Sequence, residues 1–144
     1  PLANYEEGDW EDLHNSNLRG PFLISSLLRE NIKSTNGCII NITDAMVLRG
    51  MKDYSIYSTA KGGLETLTKS LARDLAPEIT VNGVAPGAIL LPSDGSSNED
   101  LLLSKIPLGR LGTEKDIASA VFFLSTNEYI TGQILRVDGG RSLN

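Results

Sequence analysis

The spacing of apolar residues along the chain predicts three helices. Over residues 10–33 apolar side chains recur at three- and four-residue steps, the period of an amphipathic helix, and Gly20-Pro21 predicts a kink or a junction of two helices. A second helix is predicted over 54–76, where an apolar stripe runs until Pro77 ends it. A third is predicted over 114–125, preceded by Thr113 and Asp116 at the spacing of a capping box.

Short runs rich in β-branched residues lie between these helices. They occupy residues 38–43, 79–84 and 134–137 and predict buried strands. Helices alternating with strands are typical of an α/β fold with a parallel sheet covered by helices. Residues 91–104 include a polar stretch that predicts a lid-like loop, with a short helix over 99–105. The whole chain, residues 1–144, has the length of one domain.

Charge and composition narrow the class of protein. The net charge is −5 and the basic residues form no cluster, which argues against a nucleic-acid partner. No apolar run has the length of a membrane span, so no membrane partner is expected. The single cysteine, Cys38, excludes an internal disulfide, and a reducing cytoplasm is the expected location. The only histidine, His14, has no metal-ligand companion, so no metal site is expected.

Two residues in the second helix suggest proton-transfer chemistry. Tyr57 and Lys61 are four residues apart, so a helix places both side chains on one face, one turn apart. A free phenol has a pKa near ~10, and a neighbouring ammonium favours the phenolate and lowers that pKa. The pair is therefore a plausible proton-transfer device, although this spacing alone also arises by chance.

Other polar and turn residues follow the predicted strands. Asp44 lies just past the first strand, and Ala85-Pro86-Gly87 forms a sharp turn after the second. Ligands of open α/β sheets bind beyond the carboxyl ends of the strands. Asp44 is therefore in a suitable place for a ligand site, although a turn or cap residue would sit there too.

Five motifs occur in the order seen in one enzyme family, and they extend over nearly the whole chain. In sequence they are Asn41-Ile42 before Asp44, Tyr57-Ser58-Thr59-Ala60-Lys61, Val81-Asn82-Gly83-Val84-Ala85-Pro86-Gly87, Ile130-Thr131-Gly132 and Val137-Asp138-Gly139-Gly140. In these motifs the chain resembles the short-chain dehydrogenase/reductase family. The resemblance implies a Rossmann-like doubly wound parallel sheet, binding of NAD or NADP, and hydride transfer to or from a carbonyl or imine.

The resemblance also implies roles for individual residues. Tyr57 would be the proton donor, and Lys61 would bind the nicotinamide ribose and lower the Tyr57 pKa. Asn17 matches the asparagine that holds a proton-relay water. The nicotinamide would lie along Pro86, Gly87, Ala88 and Ile89. Leu91 stands where many members have a threonine, so backbone groups would replace that hydroxyl, and Leu91 itself would contact the substrate.

One departure points to a branch of the family. Asp44 stands thirteen residues before Tyr57, where the family usually has serine, and this resembles the pteridine reductases. The expected activity is NADPH-dependent reduction of a dihydropterin, pterin or dihydrofolate. A general ketoreductase acting on a 3-oxoacyl thioester or a sugar is the alternative, with Asp44 incidental or Thr43 in place of serine. A non-catalytic nucleotide-binding sensor or scaffold is the alternative outside enzymes.

The family's glycine-rich phosphate loop is absent from this sequence. The resemblance therefore implies that residues 1–144 are the C-terminal half of a Rossmann-like domain, about three strands with covering helices, and that the N-terminal cofactor half of the same protein is missing. The first strand would then have an unpaired edge. The preference for NADPH over NADH follows from the resemblance alone. A homo-oligomer, a dimer or tetramer, is expected through the long helices over 10–33 and 54–76.

Overall fold

The computed structural model describes residues 2–90 and 98–144. Its helices are α1 (Glu7–His14), α2 (Gly20–Ser34), α3 (Ser55–Asp74), α4 (Glu99–Leu103) and α5 (Glu114–Ser125). Its strands are β1 (Cys38–Ile42), β2 (Thr80–Pro86) and β3 (Ile134–Val137). A π-helical turn at Asn15–Arg19 joins α1 to α2, and 3-10 turns lie at Leu2–Asn4, Val47–Arg49 and Arg141–Leu143.

The three strands form one parallel sheet in the order β1-β2-β3. Ile40 lies beside Asn82, and Gly83 lies beside Ile134. The predicted α/β class and the Rossmann-like parallel sheet are confirmed. Within the described residues β1 pairs with β2 alone, so its other edge is an outer edge of the sheet.

Helices pack on both faces of the sheet because strand side chains alternate between the faces. On one face, Leu71 of α3 packs against a cluster that contains Val81 of β2. On the other face, Leu124 of α5 packs against Val84 of the same strand. Val81, Val84 and Leu124 are almost fully buried. The sheet is thus the middle layer of three, and its carboxyl edge lies between α3 and α5.

The first helical region differs from the prediction in the position of its irregularity. Gly20-Pro21 was the predicted kink, but the helix departs from α geometry one turn earlier, at Asn15–Arg19. There the Gly20 N–H donates to the Asn15 carbonyl, five residues back. Pro21 is the second residue of α2 and has no N–H to donate, and the π turn lies directly before it. The wider π turn supplies the break that the proline requires.

The second strand is longer than predicted. β2 continues through Ala85 to Pro86, which the sequence pattern assigned to a turn. The extension forms because the segment after β1 keeps pairing with β2, with the Ala45 N–H donating to the Pro86 carbonyl at 3.1 Å.

The remaining elements agree with their predicted positions. Helix α4 falls within the predicted 99–105 helix, and the earlier part of the predicted lid, residues 91–97, lies outside the described residues. Thr113 and Asp116 form the predicted reciprocal cap at the start of α5. Among the described helices none is both long enough and apolar enough to cross a membrane.

Candidate functional site

The site is built at the carboxyl edge of the sheet. After β1 ends, the Thr43 N–H donates to the Val84 carbonyl at 2.8 Å, and Ala45 then bonds to Pro86 in the same way. These two bonds hold the intervening Asp44 beside the end of β2. Asp44 therefore projects from backbone fixed by the sheet rather than from a free loop.

Helix α3 brings Tyr57 to Asp44. The Tyr57 hydroxyl donates to Asp44 Oδ2 at 3.0 Å. The second carboxylate oxygen, Oδ1, accepts the Met46 N–H at 2.8 Å. Because each oxygen has its own partner, the carboxylate has a fixed orientation toward the phenol.

The Thr43 hydroxyl has a different partner. The side chain is buried, and its Oγ1 donates to the Val84 carbonyl at 3.3 Å. Of the two residues considered for the serine position, Asp44 is the one that contacts the Tyr57 hydroxyl. The alternative in which Thr43 replaces serine therefore has no support in this arrangement.

The pKa of Tyr57 shifts in the opposite direction from the prediction. Burial raises the pKa, and the negative charge and hydrogen bond of Asp44 raise it further. The expectation of a lowered pKa was wrong for this arrangement, because burial and, second to it, the charge of Asp44 both raise the pKa. The Lys61 Nζ lies 6.0 Å from the centre of the Tyr57 ring. Tyr57 is consequently a neutral phenol that holds its proton.

Lys61 is anchored to the end of β1. Its Nζ donates to the Ile42 carbonyl at 2.8 Å. Burial lowers the pKa of Lys61, and the charge of Asp44 partly opposes that shift. This anchor places a cationic group one helical turn from Tyr57, with further N–H donors available for a ligand.

A cavity of about 730 Å³ joins these residues. Its volume falls within the usual range for small-molecule and cofactor sites. Its lining includes Asp44, Tyr57 and Lys61 together with the predicted cofactor wall of Pro86, Gly87, Ala88 and Ile89. The structure thus places seven of the predicted site residues around one space, while their individual roles stay predictions.

Two other predicted residues have different outcomes. Asn17 lies in the π-helical turn, where its Nδ2 donates to the Leu13 carbonyl at 3.0 Å. It is not among the described residues that line the cavity, and its role stays a prediction. Its neighbour Leu18 packs against Gly63 of α3, where an added Cβ would lie 2.9 Å from the leucine side chain. Leu91, the other predicted residue, lies outside the described residues.

The cavity also has lining residues that the sequence patterns did not identify. Leu101 and Leu102 of α4 and the following Lys105 line it, as does Arg141 after β3. Arg141 follows a strand of the same parallel sheet, so the rule on strand ends that selected Asp44 applies equally to it. For Lys105 no comparable signal exists, because it follows a helix.

Comparison with known proteins identifies the family. A family model described as Enoyl-(Acyl carrier protein) reductase matches residues 1–142. A 3-oxoacyl-[acyl-carrier-protein] reductase of Bos taurus is 40% identical over 132 residues, which cover 91% of this chain and 56% of the relative. Carbonyl reductase family member 4 of Danio rerio is 41% identical over 143 residues, which cover 99% of this chain and 60% of the relative. The chain thus spans less than two thirds of the length of these curated relatives.

Solved structures of similar fold lead to the same family. A gluconate 5-dehydrogenase from Burkholderia cenocepacia J2315, in complex with NADP and tartrate, matches with a TM-score of 0.91 at 29% identity, covering 100% of this chain and 60% of that one. An apo SCOR enzyme from Clostridium thermocellum matches with a TM-score of 0.89 at 35% identity, covering 99% of this chain and 57% of that one. The NADP in the former structure agrees with the expected cofactor. On the match over residues 1–142, the chain belongs to the short-chain dehydrogenase/reductase family.

Proposed function

We propose that the complete protein is an NADPH-dependent reductase of carbonyl compounds, with a 3-oxoacyl thioester as the favoured substrate class. The observation that carries this proposal is the shared cavity of Tyr57, Lys61 and the wall formed by residues 86–89. The names of the relatives, a 3-oxoacyl reductase and a carbonyl reductase, support the carbonyl substrate over the pteridine substrate expected from the sequence.

The described residues fit a nicotinamide cofactor on two counts. The cavity volume suits a nicotinamide together with a small substrate, and Lys61 offers an anchored cationic donor. Lys61 and residues 86–89 would hold the nicotinamide end. When bound, NADPH supplies the hydride.

Tyr57 supplies the proton in this proposal. Its phenol carries a proton and acts as a general acid toward the substrate oxygen. Burial and Asp44 raise its pKa and so make it a weaker acid, and loss of the bond to Asp44 would strengthen it. A hydroxyl has a single proton to donate. The bond from Tyr57 to Asp44 must therefore break before Tyr57 can donate to a substrate carbonyl.

The same bond favours a second candidate function, the reduction of a pteridine. A carboxylate accepts hydrogen bonds, and a pterin carries amino and ring N–H donors, whereas a ketone carries none. A pterin could occupy Asp44 and release the Tyr57 hydroxyl for proton donation. The observation specific to this candidate is the 3.0 Å contact between Tyr57 and Asp44, at a position where the family usually has serine.

The test follows NADPH absorbance in the complete protein with acetoacetyl-N-acetylcysteamine and with a dihydropterin. The expected result is oxidation with the thioester, a loss of about 100-fold or more in Tyr57→Phe, and retained or improved turnover in Asp44→Ser. Turnover of the pterin alone, lost in Asp44→Ser, would replace the first candidate with the second. If NADPH is oxidised with neither substrate, both candidate functions are contradicted, and the non-catalytic nucleotide sensor is favoured.

Assembly is part of the same proposal. Phe22, Leu23 and Leu27 of α2 are exposed apolar side chains on one of the two helical regions expected to meet a second copy. We propose a dimer or tetramer formed through these regions and a cytoplasmic location. Sedimentation of the complete protein measures the first, and a monomer at micromolar concentration would contradict it.

A further inference from the structure

Two cationic residues of the cavity have no task in the proposed reaction. Lys105 and Arg141 both line it, together with Lys61. Asp44 is the only carboxylate among the described lining residues, so three cationic side chains face one anionic one. The chain as a whole carries a net charge of −5. A positive cavity in an acidic chain concentrates anions there.

Arg141 is held in position by the turn that follows β3. The Asp138 carboxylate accepts the Gly140 N–H at 2.9 Å and the Ser142 N–H at 2.7 Å. The Arg141 N–H also donates to the Asp138 carbonyl at 3.1 Å. These bonds fix the backbone on both sides of Arg141.

The segment that carries Lys105 is tied to the same turn. The Asn144 Nδ2 donates to the Lys105 carbonyl at 3.2 Å, and the Leu108 N–H donates to the Gly139 carbonyl at 3.1 Å. A Cβ on Gly139 would lie 2.7 Å from the Ile106 side chain, so the two segments also pack closely. Lys105 and Arg141 are therefore carried by two segments, residues 105–108 and 138–144, that bond and pack against each other.

These two segments lie on a different side of β2 from Asp44, the partner of the proton donor Tyr57. Asp44 follows β1 and Arg141 follows β3, with β2 between them. Neighbouring strands lie about 4.8 Å apart, so the two positions are separated by about 10 Å across the sheet. Arg141 is thus presented from the β3 side of the cavity and Asp44 from the β1 side.

The charged ends of the two side chains have no carboxylate partner among the described residues. Within residues 2–90 and 98–144, neither Lys105 nor Arg141 forms an ion pair, whereas Arg110 and Arg136 each face a carboxylate. The guanidinium fork suits the two oxygens of a carboxylate or phosphate, and an ammonium adds a point charge.

We propose that Lys105 and Arg141 form an anion-binding subsite on the β3 side of the cavity, which recognises a carboxylate or phosphate on the substrate. The inference rests on the proposed function, because it concerns the substrate of that cavity. It assigns the anion to the substrate rather than to the cofactor, since the predicted cofactor contacts are Lys61 and residues 86–89.

The test compares substrates that differ in charge. The complete protein is assayed with neutral acetoacetyl-N-acetylcysteamine, with acetoacetyl-coenzyme A, which carries phosphates on the thiol arm, and with a 3-oxo-dicarboxylic monothioester, which carries a carboxylate on the acyl arm. The measured quantity is the ratio of kcat/KM for each anionic substrate to that for the neutral one. The variants are Arg141→Gln and Lys105→Gln, and Lys69→Gln on the exposed side of α3 is the matched control.

The expected result is a fall of about tenfold or more in this ratio for Arg141→Gln, a smaller fall for Lys105→Gln, and no change for Lys69→Gln. The substrate whose ratio falls identifies the source of the anion. Ratios unchanged in both variants would overturn the subsite. Weaker NADPH binding by Arg141→Gln, with all ratios unchanged, would assign the anion to the cofactor and also overturn it.

Failure of the proposed function gives a different pattern. If the protein reduces only pterins, the same ratio is measured for dihydrofolate, whose tail carries carboxylates, over neutral dihydrobiopterin. If it reduces neither class, isothermal titration with the neutral and anionic thioesters measures binding directly. Equal affinity of the wild type for both would overturn the subsite.

Discussion

Replacing Thr68 by valine is expected to destabilise the protein by leaving a buried amide without a partner. The Asn41 Nδ2 on β1 donates to Thr68 Oγ1 on α3 at 2.9 Å. Asn41 is 8% exposed and Thr68 is fully buried, so water cannot replace the lost acceptor. Valine keeps the shape of threonine, and the substitution therefore removes the two hydrogen bonds of the Thr68 hydroxyl with little change in packing.

The expected cost follows from that geometry. A buried donor left unsatisfied costs about 1–3 kcal/mol. Asn41→Leu should cost less, because the Thr68 hydroxyl keeps its own bond to the Leu64 carbonyl at 2.7 Å. The double variant removes both polar partners and is expected to approach wild-type stability, since an apolar pair of the same shape is nearly neutral.

Urea unfolding of the complete protein, followed by circular dichroism, measures the four free energies of this double-mutant cycle. The bond joins the strand that precedes Asp44 to the helix that carries Tyr57, so Thr68→Val is also expected to lower turnover. A Thr68→Val stability within about 0.3 kcal/mol of wild type, or a double variant that is as unstable as the sum of the singles, would refute the reasoning.

Two further predictions concern the site and its supports. Asp44→Asn is expected to lower the pKa of Tyr57, because the negative charge that favours the neutral phenol is removed. Near-ultraviolet titration of the tyrosinate band measures this pKa, and Tyr57→Phe identifies which part of the signal comes from Tyr57. An unchanged pKa would contradict the prediction. Gly87→Ala is expected to destabilise the protein by about 1–3 kcal/mol, because the new Cβ would lie 2.6 Å from the Asp138 backbone. The matched control is Gly62→Ala, whose added Cβ would have nothing within 4 Å and which is expected to stabilise α3 by about 0.5–1 kcal/mol. Urea unfolding measures the stability of both glycine variants. Equal changes in stability would contradict the packing argument.

Much of the fold could be predicted because local patterns and the global arrangement agree. The change between helical and strand periods located all three strands and the helices over them. The positions of Asp44 and Pro86 at strand ends were enough to place both at the carboxyl edge of a parallel sheet. The π-helical turn at Asn15–Arg19 was not predictable from the proline alone, since a helix can adjust to a proline by a kink or by a wider turn.

The site was less predictable where it depends on distances between elements. The spacing of Tyr57 and Lys61 predicts their shared helix face, but not that the lysine bonds to the Ile42 carbonyl while the phenol bonds to Asp44. The direction of the Tyr57 pKa shift follows first from burial and then from Asp44, neither of which the helical spacing reveals, and it was therefore predicted wrongly. Lys105 enters the cavity through tertiary bonds to the turn after β3, and these leave no local sequence signal.

The central claim is that Tyr57 protonates a substrate reduced by NADPH in the cavity at the carboxyl edge of the sheet. The most direct measurement uses NADPH carrying deuterium at C4 of the nicotinamide, with the complete protein and with Tyr57→Phe. We expect deuterium at the reduced carbon of the product, and a turnover number about 100-fold or more lower in Tyr57→Phe. Product without deuterium, or a Tyr57→Phe variant that turns over as fast as the wild type, would contradict the claim.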